Sequence, residues 1–220
     1  MFETNCALFD GLSSVELEKI AQHSKLKVMA KQQYLCAQHA PMQYLYCIST
    51  GVAATERISS EGRRQVLSFL FPGDLIGVTK GEQYDYSVKC LRSLTAHQLP
   101  RSRLFELSKT IPSLEHNING IRGVVVSQML DQLYLLGQKK AHERICYLLT
   151  HLLGRMPGAT VDHIELPMTR LDIADYLGLT VETVSRSITK LKQEGLIAIT
   201  DINAIAILDL DAIEELADID

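Results

Sequence analysis

Four polar residues near the C-terminus, Glu182, Ser185, Arg186 and Thr189, stand at positions i, i+3, i+4 and i+7. On a helix that spacing brings all four to one side. Their chemistry suits the edge of a base pair. An Arg can donate two parallel hydrogen bonds to guanine O6 and N7, a Glu can accept from cytosine N4, and a Ser serves either a base edge or a phosphate. Lys190 and Lys192 follow at the end where backbone phosphates would lie. Val184, Ile188 and Leu191, also at i, i+4 and i+7, predict the buried side of the same helix.

The flanking residues predict the elements that aim this face. Thr169-Arg170-Leu171-Asp172 has the T-x-x-D form of a capped helix start. Leu171, Ile173, Ala174 and Leu177 are expected to line the buried side of that helix, and Gly178 to end it in a left-handed cap. Leu179 plugs the turn, and Thr180 caps the second helix, which runs to Glu194 before Gly195. Two helices joined by three residues containing Gly form a helix-turn-helix. With Thr169, Arg170, Thr180 and Thr183, the residues above make up the expected DNA-contact set. Leu196–Thr200 and Ala204–Leu208 then predict a hairpin, the wing of a winged helix. The plainer alternative is a helical pair with a solvated polar face.

Upstream, Pro112 and Ser113 open a long helix. Leu114, Ile118, Ile121, Val125, Met129, Leu133 and Leu136 recur along it at three- and four-residue steps. A stripe of six turns predicts pairing with a second copy; burial against the chain's own N-terminal part is the alternative. A second helix is expected from about Lys139 to Leu153, with Ala141, Ile145, Leu148, Leu149 and Leu152 as its apolar face. Before residue 110 the chain reads as a small helix, with Ser13 and Glu16 as its capping box, and then short strands. Tyr44–Ile48, Thr55–Ile58 and Gln65–Phe71 end at turn signals, and Ser87–Leu99 holds at least one more. Such spacing suggests a sandwich or barrel. The expected division is a β domain over 1–110, a dimerisation helix over 111–137, and a winged helix over 138–220: an α+β chain.

Composition constrains less. The chain is 46% hydrophobic and 22% charged, an ordinary globular mix. No apolar run approaches the ~18 residues of a membrane span. Met1–Asn5 lacks the basic start of a signal peptide, so the cytoplasm is the expected compartment. The net charge of −4 argues at first against nucleic acid, but seven of the acids fall in the last twenty residues. Without them 22 cations face 19 anions, a mildly basic +3. Cys6, Cys36, Cys47, Cys90 and Cys146 include no C-x-x-C pair and read as reduced thiols. No Walker loop, G-x-S-x-G or H-E-x-x-H is present, so no enzyme is expected, and no resident metal.

Leu177-Gly178-Leu179-Thr180-Val181-Glu182-Thr183-Val184-Ser185-Arg186 closely resembles the recognition segment of the CRP/FNR family, in the E-x-x-S-R form of its FNR branch. Gly62–Gly77, ending in Pro72-Gly73-Asp74-Leu75-Ile76-Gly77, is similar to the family's β-roll segment. Ala141–Ile145 resembles the start of its hinge-side helix. The resemblance implies a β-roll of cyclic-nucleotide-binding type, a long dimerisation helix and a C-terminal winged helix. It also implies a homodimer on a palindrome of TTGAT-like half-sites read by Glu182, Ser185 and Arg186, with RNA polymerase as a further partner. Two departures from the family matter. An iron–sulfur cluster needs four thiolates, and the first thirty residues offer only Cys6. A cyclic phosphate calls for a fixed Arg, whereas Gln83-Tyr84-Asp85-Tyr86-Ser87 offers an Asp, and no Arg occurs between Pro72 and Leu91. Both ligands are therefore disfavoured. Haem is the remaining named candidate, with His39, His97, His116, Cys36 or Cys90 as axial ligands; a regulator with no effector is the other alternative.

Overall fold

The computed structural model describes residues 6–79 and 81–218. Met1–Asn5, expected to carry no signal peptide, lie outside them. The chain divides into two compact units between Ser127 and Gln128, inside a helix.

In the first unit a short 3-10 turn at Ala7–Phe9 precedes α1 (Ser14–Ala21). Eight strands follow: β1 (Lys25–Met29), β2 (Tyr34–Cys36), β3 (Tyr44–Thr50), β4 (Ala53–Ile58), β5 (Arg64–Leu70), β6 (Leu75–Ile76), β7 (Ser87–Cys90) and β8 (Leu94–Pro100). After them come α2 (Arg101–Ser108) and the start of α3 (Pro112–Gln138). The strands form two antiparallel four-stranded sheets, ordered β1-β8-β3-β6 and β2-β7-β4-β5. Alternation along β3 sends Tyr46 and Ile48 into the space between the sheets, where they meet Cys36, Ala53, Val88 and Cys90. Leu45 and Cys47 point the other way, into a second core with Leu8, Ile20, Leu104 and Leu114. Strand β3 is therefore buried on both faces, which explains its unbroken apolar run. The turn into β4 requires Gly51: its φ is +91°, and a Cβ there would lie 2.3 Å from the Ser93 carbonyl oxygen.

The capping box expected at α1 is present. Ser13 Oγ accepts from the Glu16 N–H at 3.4 Å, and Glu16 Oε2 accepts from the Ser13 N–H at 2.8 Å. Strands β1 and β2 had no counterpart in the sequence reading. In β1, Leu26 and Val28 are exposed like the lysines beside them, so no buried alternation marks the strand. A buried charge also went unnoticed. Glu56, 1% exposed, accepts from Tyr34 Oη at 2.7 Å and from Arg64 Nε at 2.7 Å, tying β2, β4 and β5 together. Burial beside that carboxylate pushes the Tyr34 phenol up to about 12.

The long stripe on α3 divides. Leu114 and Ile118 are buried in the chain's own second core and Ile121 packs against it, so these three already have a partner surface. Val125 and Leu136 are half-buried, and only Met129 and Leu133 of the expected seam are exposed. Val126, Leu130 and Tyr134 join them in the open. At 100° per residue, Val126 and Leu130 lie more than about a quarter-turn round the helix from Leu114. The helix is apolar on two faces, and a single stripe drawn through Leu114 mixes them.

The second unit holds the end of α3, α4 (Ala141–Arg155), β9 (Ile164–Glu165), α5 (Arg170–Leu177), α6 (Val181–Gln193), β10 (Ile197–Asp201), β11 (Ala204–Ile207) and α7 (Leu210–Ala217). The three strands form an antiparallel sheet in the order β10-β11-β9. Helix α4 packs against α6 and α7 and buries Ile145, Leu148, Leu149 and Leu152, four of the five residues expected on its apolar face. Among the described residues no helix is long and apolar enough to cross a membrane.

Candidate nucleic-acid interface

Helix α5 starts where its sequence predicts. Thr169 Oγ1 accepts from the Asp172 N–H at 3.1 Å, and Asp172 Oδ2 accepts from the Thr169 N–H at 2.8 Å. Gly178 closes it with φ +63° and ψ +40°. One expectation fails here: Leu171 is 55% exposed, and Asp172 is buried in its place beneath the cap. Thr180 Oγ1 then accepts from the Thr183 N–H at 3.2 Å and caps α6.

Val184, Ile188 and Leu191 are buried, so α6 is fixed by one side. Glu182, Ser185, Arg186 and Thr189 are all exposed on the other. Their hydrogen bonds define what the face can offer. Ser185 Oγ donates to the Val181 carbonyl at 2.9 Å and Thr189 Oγ1 donates to the Ser185 carbonyl at 3.0 Å. With its proton engaged in the helix, each hydroxyl presents acceptor lone pairs outward. Glu182 is held below the usual carboxylate range, first by a backbone N–H, then by the Thr180 hydroxyl and the Arg186 charge. Among the described residues Arg186 reaches Thr183 Oγ1, at 3.4 Å, and is otherwise exposed. The face therefore alternates acceptors with one fork of donors.

The remaining members of the predicted set are spread round this face. Lys192 is exposed on the last turn of α6. Lys190 is occupied: its ammonium donates to His142 Nε2 at 3.2 Å and lies 3.8 Å from Glu194. Arg170 is half-buried, with Nη1 enclosed and without a hydrogen-bond partner among the described residues. Sequence reasoning missed the group that sets the frame. Arg144 donates to the carbonyls of Leu136 at 3.0 Å, Lys139 at 2.9 Å and Leu177 at 2.7 Å, joining the ends of α3 and α5 to α4. Gln132 Nε2 adds a bond to the Tyr176 carbonyl at 2.8 Å.

Side chains fill the space between the two sheets of the β-roll. Tyr84, at the centre of the corresponding segment, is 3% exposed and donates to the Tyr44 carbonyl at 2.6 Å. Its ring fills the space between the sheets with Tyr46, Met42 and Cys36. Asp85 is exposed beside it. The five haem-ligand candidates are scattered. His39 and His116 are exposed; Cys36 and Cys90 are buried among the tyrosines; His97 lies on β8 with Nδ1 3.2 Å from Ser24 Oγ. All five cysteines are buried, unbridged thiols.

Comparison with known proteins agrees with this arrangement. Residues 26–110 match the cyclic nucleotide-binding domain, and residues 143–216 match the Crp-like helix-turn-helix domain. The chain is 32% identical over 205 residues to the transcriptional activatory protein AadR of Rhodopseudomonas palustris, covering 92% of this chain and 84% of that one. It is 31% identical over 214 residues to the nitrogen fixation regulation protein FixK of Bradyrhizobium diazoefficiens, covering 96% and 90%. The solved structure of FixK2 from Bradyrhizobium japonicum superposes with a TM-score of 0.83 at 27% identity, over 89% of this chain and 98% of that one. Helix-turn-helix, β-roll and full-length likeness together show that the chain belongs to the CRP/FNR family, in its FNR branch, and is a DNA-binding transcription regulator.

Proposed function

We propose that the protein works in the cytoplasm as a homodimer on a near-palindrome of TTGAT-like half-sites, with RNA polymerase as its downstream partner. The observation that carries the reading is the outward face of α6, an acceptor set flanking one exposed Arg fork. Glu182, Ser185 and Arg186 read base edges; Thr169, Arg170, Thr180, Thr183, Thr189, Lys190 and Lys192 hold the backbone. The seam between copies is the open face of α3, Val126, Met129, Leu130, Leu133 and Tyr134, because an exposed apolar stripe of this length is characteristic of an interface. The packed β-roll favours a regulator that needs no ligand between its sheets, since Tyr46 and Tyr84 already occupy that space.

Arg186→Ala tests the base-reading assignment. Removing a bidentate contact costs ~1–3 kcal/mol per half-site. Discrimination between a TTGAT palindrome and a random duplex should therefore fall by at least tenfold. Unchanged discrimination in a titration of both duplexes at one salt concentration refutes the assignment.

A further inference from the structure

The contact between Lys190 and His142 is chemically restrictive. An ammonium carries only donors, so the imidazole Nε2 that faces it at 3.2 Å must be the acceptor. A bond of that kind requires the tautomer that carries its proton on Nδ1. Adding a proton to Nε2 removes the only acceptor in the pair and sets two cations against each other.

The surroundings decide where each then goes. On its own helix, His142 Nε2 lies 4.0 Å from Glu143 Oε1. That carboxylate is fixed in place because its other oxygen accepts from the Lys140 N–H at 2.7 Å, while the Lys140 ammonium stands 3.9 Å away. From α6 the facing groups are Lys190 itself and Glu194, 3.8 Å from the ammonium. The Cys146 thiol lies beneath them, and burial with the charges of Glu143 and Glu194 pushes it up to about 12, so it stays protonated. A charged His142 thus has a carboxylate to turn to, and Lys190 loses the bond that holds it against α4. Lys190 is half exposed and stands four residues beyond Arg186, on the flank of α6 next to the proposed base-reading face.

We infer that His142 and Lys190 form a proton-governed grip on the DNA backbone: neutral His142 holds Lys190 back, and protonated His142 releases it to a phosphate. The inference rests on the reading of α6 as the DNA-contacting helix. Histidine is the side chain that changes charge between about pH 5 and pH 8, whereas backbone phosphates keep theirs, so the response belongs to the protein.

The test measures binding of the full-length protein to two duplexes, a TTGAT palindrome and a random sequence, at about pH 8 and about pH 6, each over a salt series. One added phosphate contact per protomer steepens the slope of log K against log salt by about 0.9, so two should steepen it by nearly two and tighten binding to both duplexes by about tenfold at moderate salt. His142→Gln offers an amide oxygen to Lys190 but cannot be charged; it should keep the pH 8 affinity and lose the pH response. Lys190→Met should show the same salt slope at both pH values, whatever its affinity at pH 8. A wild-type protein without the response overturns the inference, as does a response that survives in either variant. Loss of sequence discrimination belongs to the Arg186→Ala experiment, and absence of binding to either duplex removes the underlying reading; neither outcome mimics an unaltered pH response.

Discussion

In the β-roll, Glu56, Thr55 and Tyr84 are all less than a tenth exposed, and each directs its hydrogen bonds to the protein: Glu56 to Arg64 and Tyr34, Thr55 to Ser68, Tyr84 to Tyr44. In the winged helix the corresponding chemistry faces outward. Glu182, Ser185, Arg186 and Thr189 are exposed, and their only partners lie on their own helix or its cap. Similar side chains serve opposite ends. Buried and paired, they specify a fold, and deleting one leaves a desolvated charge behind. Exposed and preorganised, they await a partner, and deleting one should leave the fold unchanged.

The contrast is sharpest at Arg64. Arg64→Ala strands the Glu56 carboxylate between β2, β4 and β5. Because the Arg64 side chain keeps 20% of its exposure, the expected loss is about 3 kcal/mol, the lower end for a broken buried pair. Chemical denaturation should show it, and replacing the pair together (Glu56→Leu with Arg64→Met) should recover most of it. A single mutant within 0.5 kcal/mol of wild type, the ordinary range for surface changes, would mean that the carboxylate is solvated. By the same measure Arg186→Ala should fall inside that range.

Acid should separate the units next. His151 in α4 is depressed to about 4, chiefly by burial and then by the Arg155 charge. Its unfolded value is near 6.5, so between these two values the unfolded state binds the extra proton. Stability from this group is complete above about pH 6.5, falls as the pH drops through that window, and is fully lost below about 4; the total is on the order of 3 kcal/mol. His151→Phe should remove that slope from the thermal unfolding of the winged helix. A slope that persists would assign the acid sensitivity elsewhere.

The smallest expected effect on folding comes from the open face of α3. Leu130→Glu should leave the unfolding midpoint of the monomer almost unchanged, because Leu130 is 61% exposed, yet sedimentation should find it monomeric at concentrations where the proposed dimer of the wild type forms. Leu114→Glu should instead unfold the first unit, since Leu114 is wholly buried there. A dimeric Leu130→Glu protein would move the seam to another surface.

These cases also show what could be read from the chain. The helix-turn-helix was legible because its signals are local: Thr169 with Asp172, the left-handed Gly178, Thr180, and a polar face at helical spacing. Capping and periodicity act within a few residues and survive without knowledge of the rest. The division of α3 into two apolar faces was not, because both share one helix and only the tertiary contacts of Leu114 and Ile118 tell them apart. Leu171 failed for a related reason: the buried Asp172 cap rotates the inward face of α5. The Glu56–Arg64 pair and the Arg144 bonds join residues that spacing does not relate. Whether the Lys190 ammonium is engaged likewise depends on a histidine 48 positions away.

The three carbonyls held by Arg144 bear on how the second unit assembles. One lies in the last turn of α3, one just beyond it and one ends α5, so a single cation sits at the negative ends of two helices. The bond to Leu177 cannot form until the end of α5 and the first turn of α4 are both in place. The unit should therefore acquire its protection from amide exchange in one step, without a long-lived form in which the recognition helix is made but unaimed. A Lys at 144 would keep the charge but, with three donors on one nitrogen, could not span the same three oxygens. Its mark would be helices that form on schedule and then open separately.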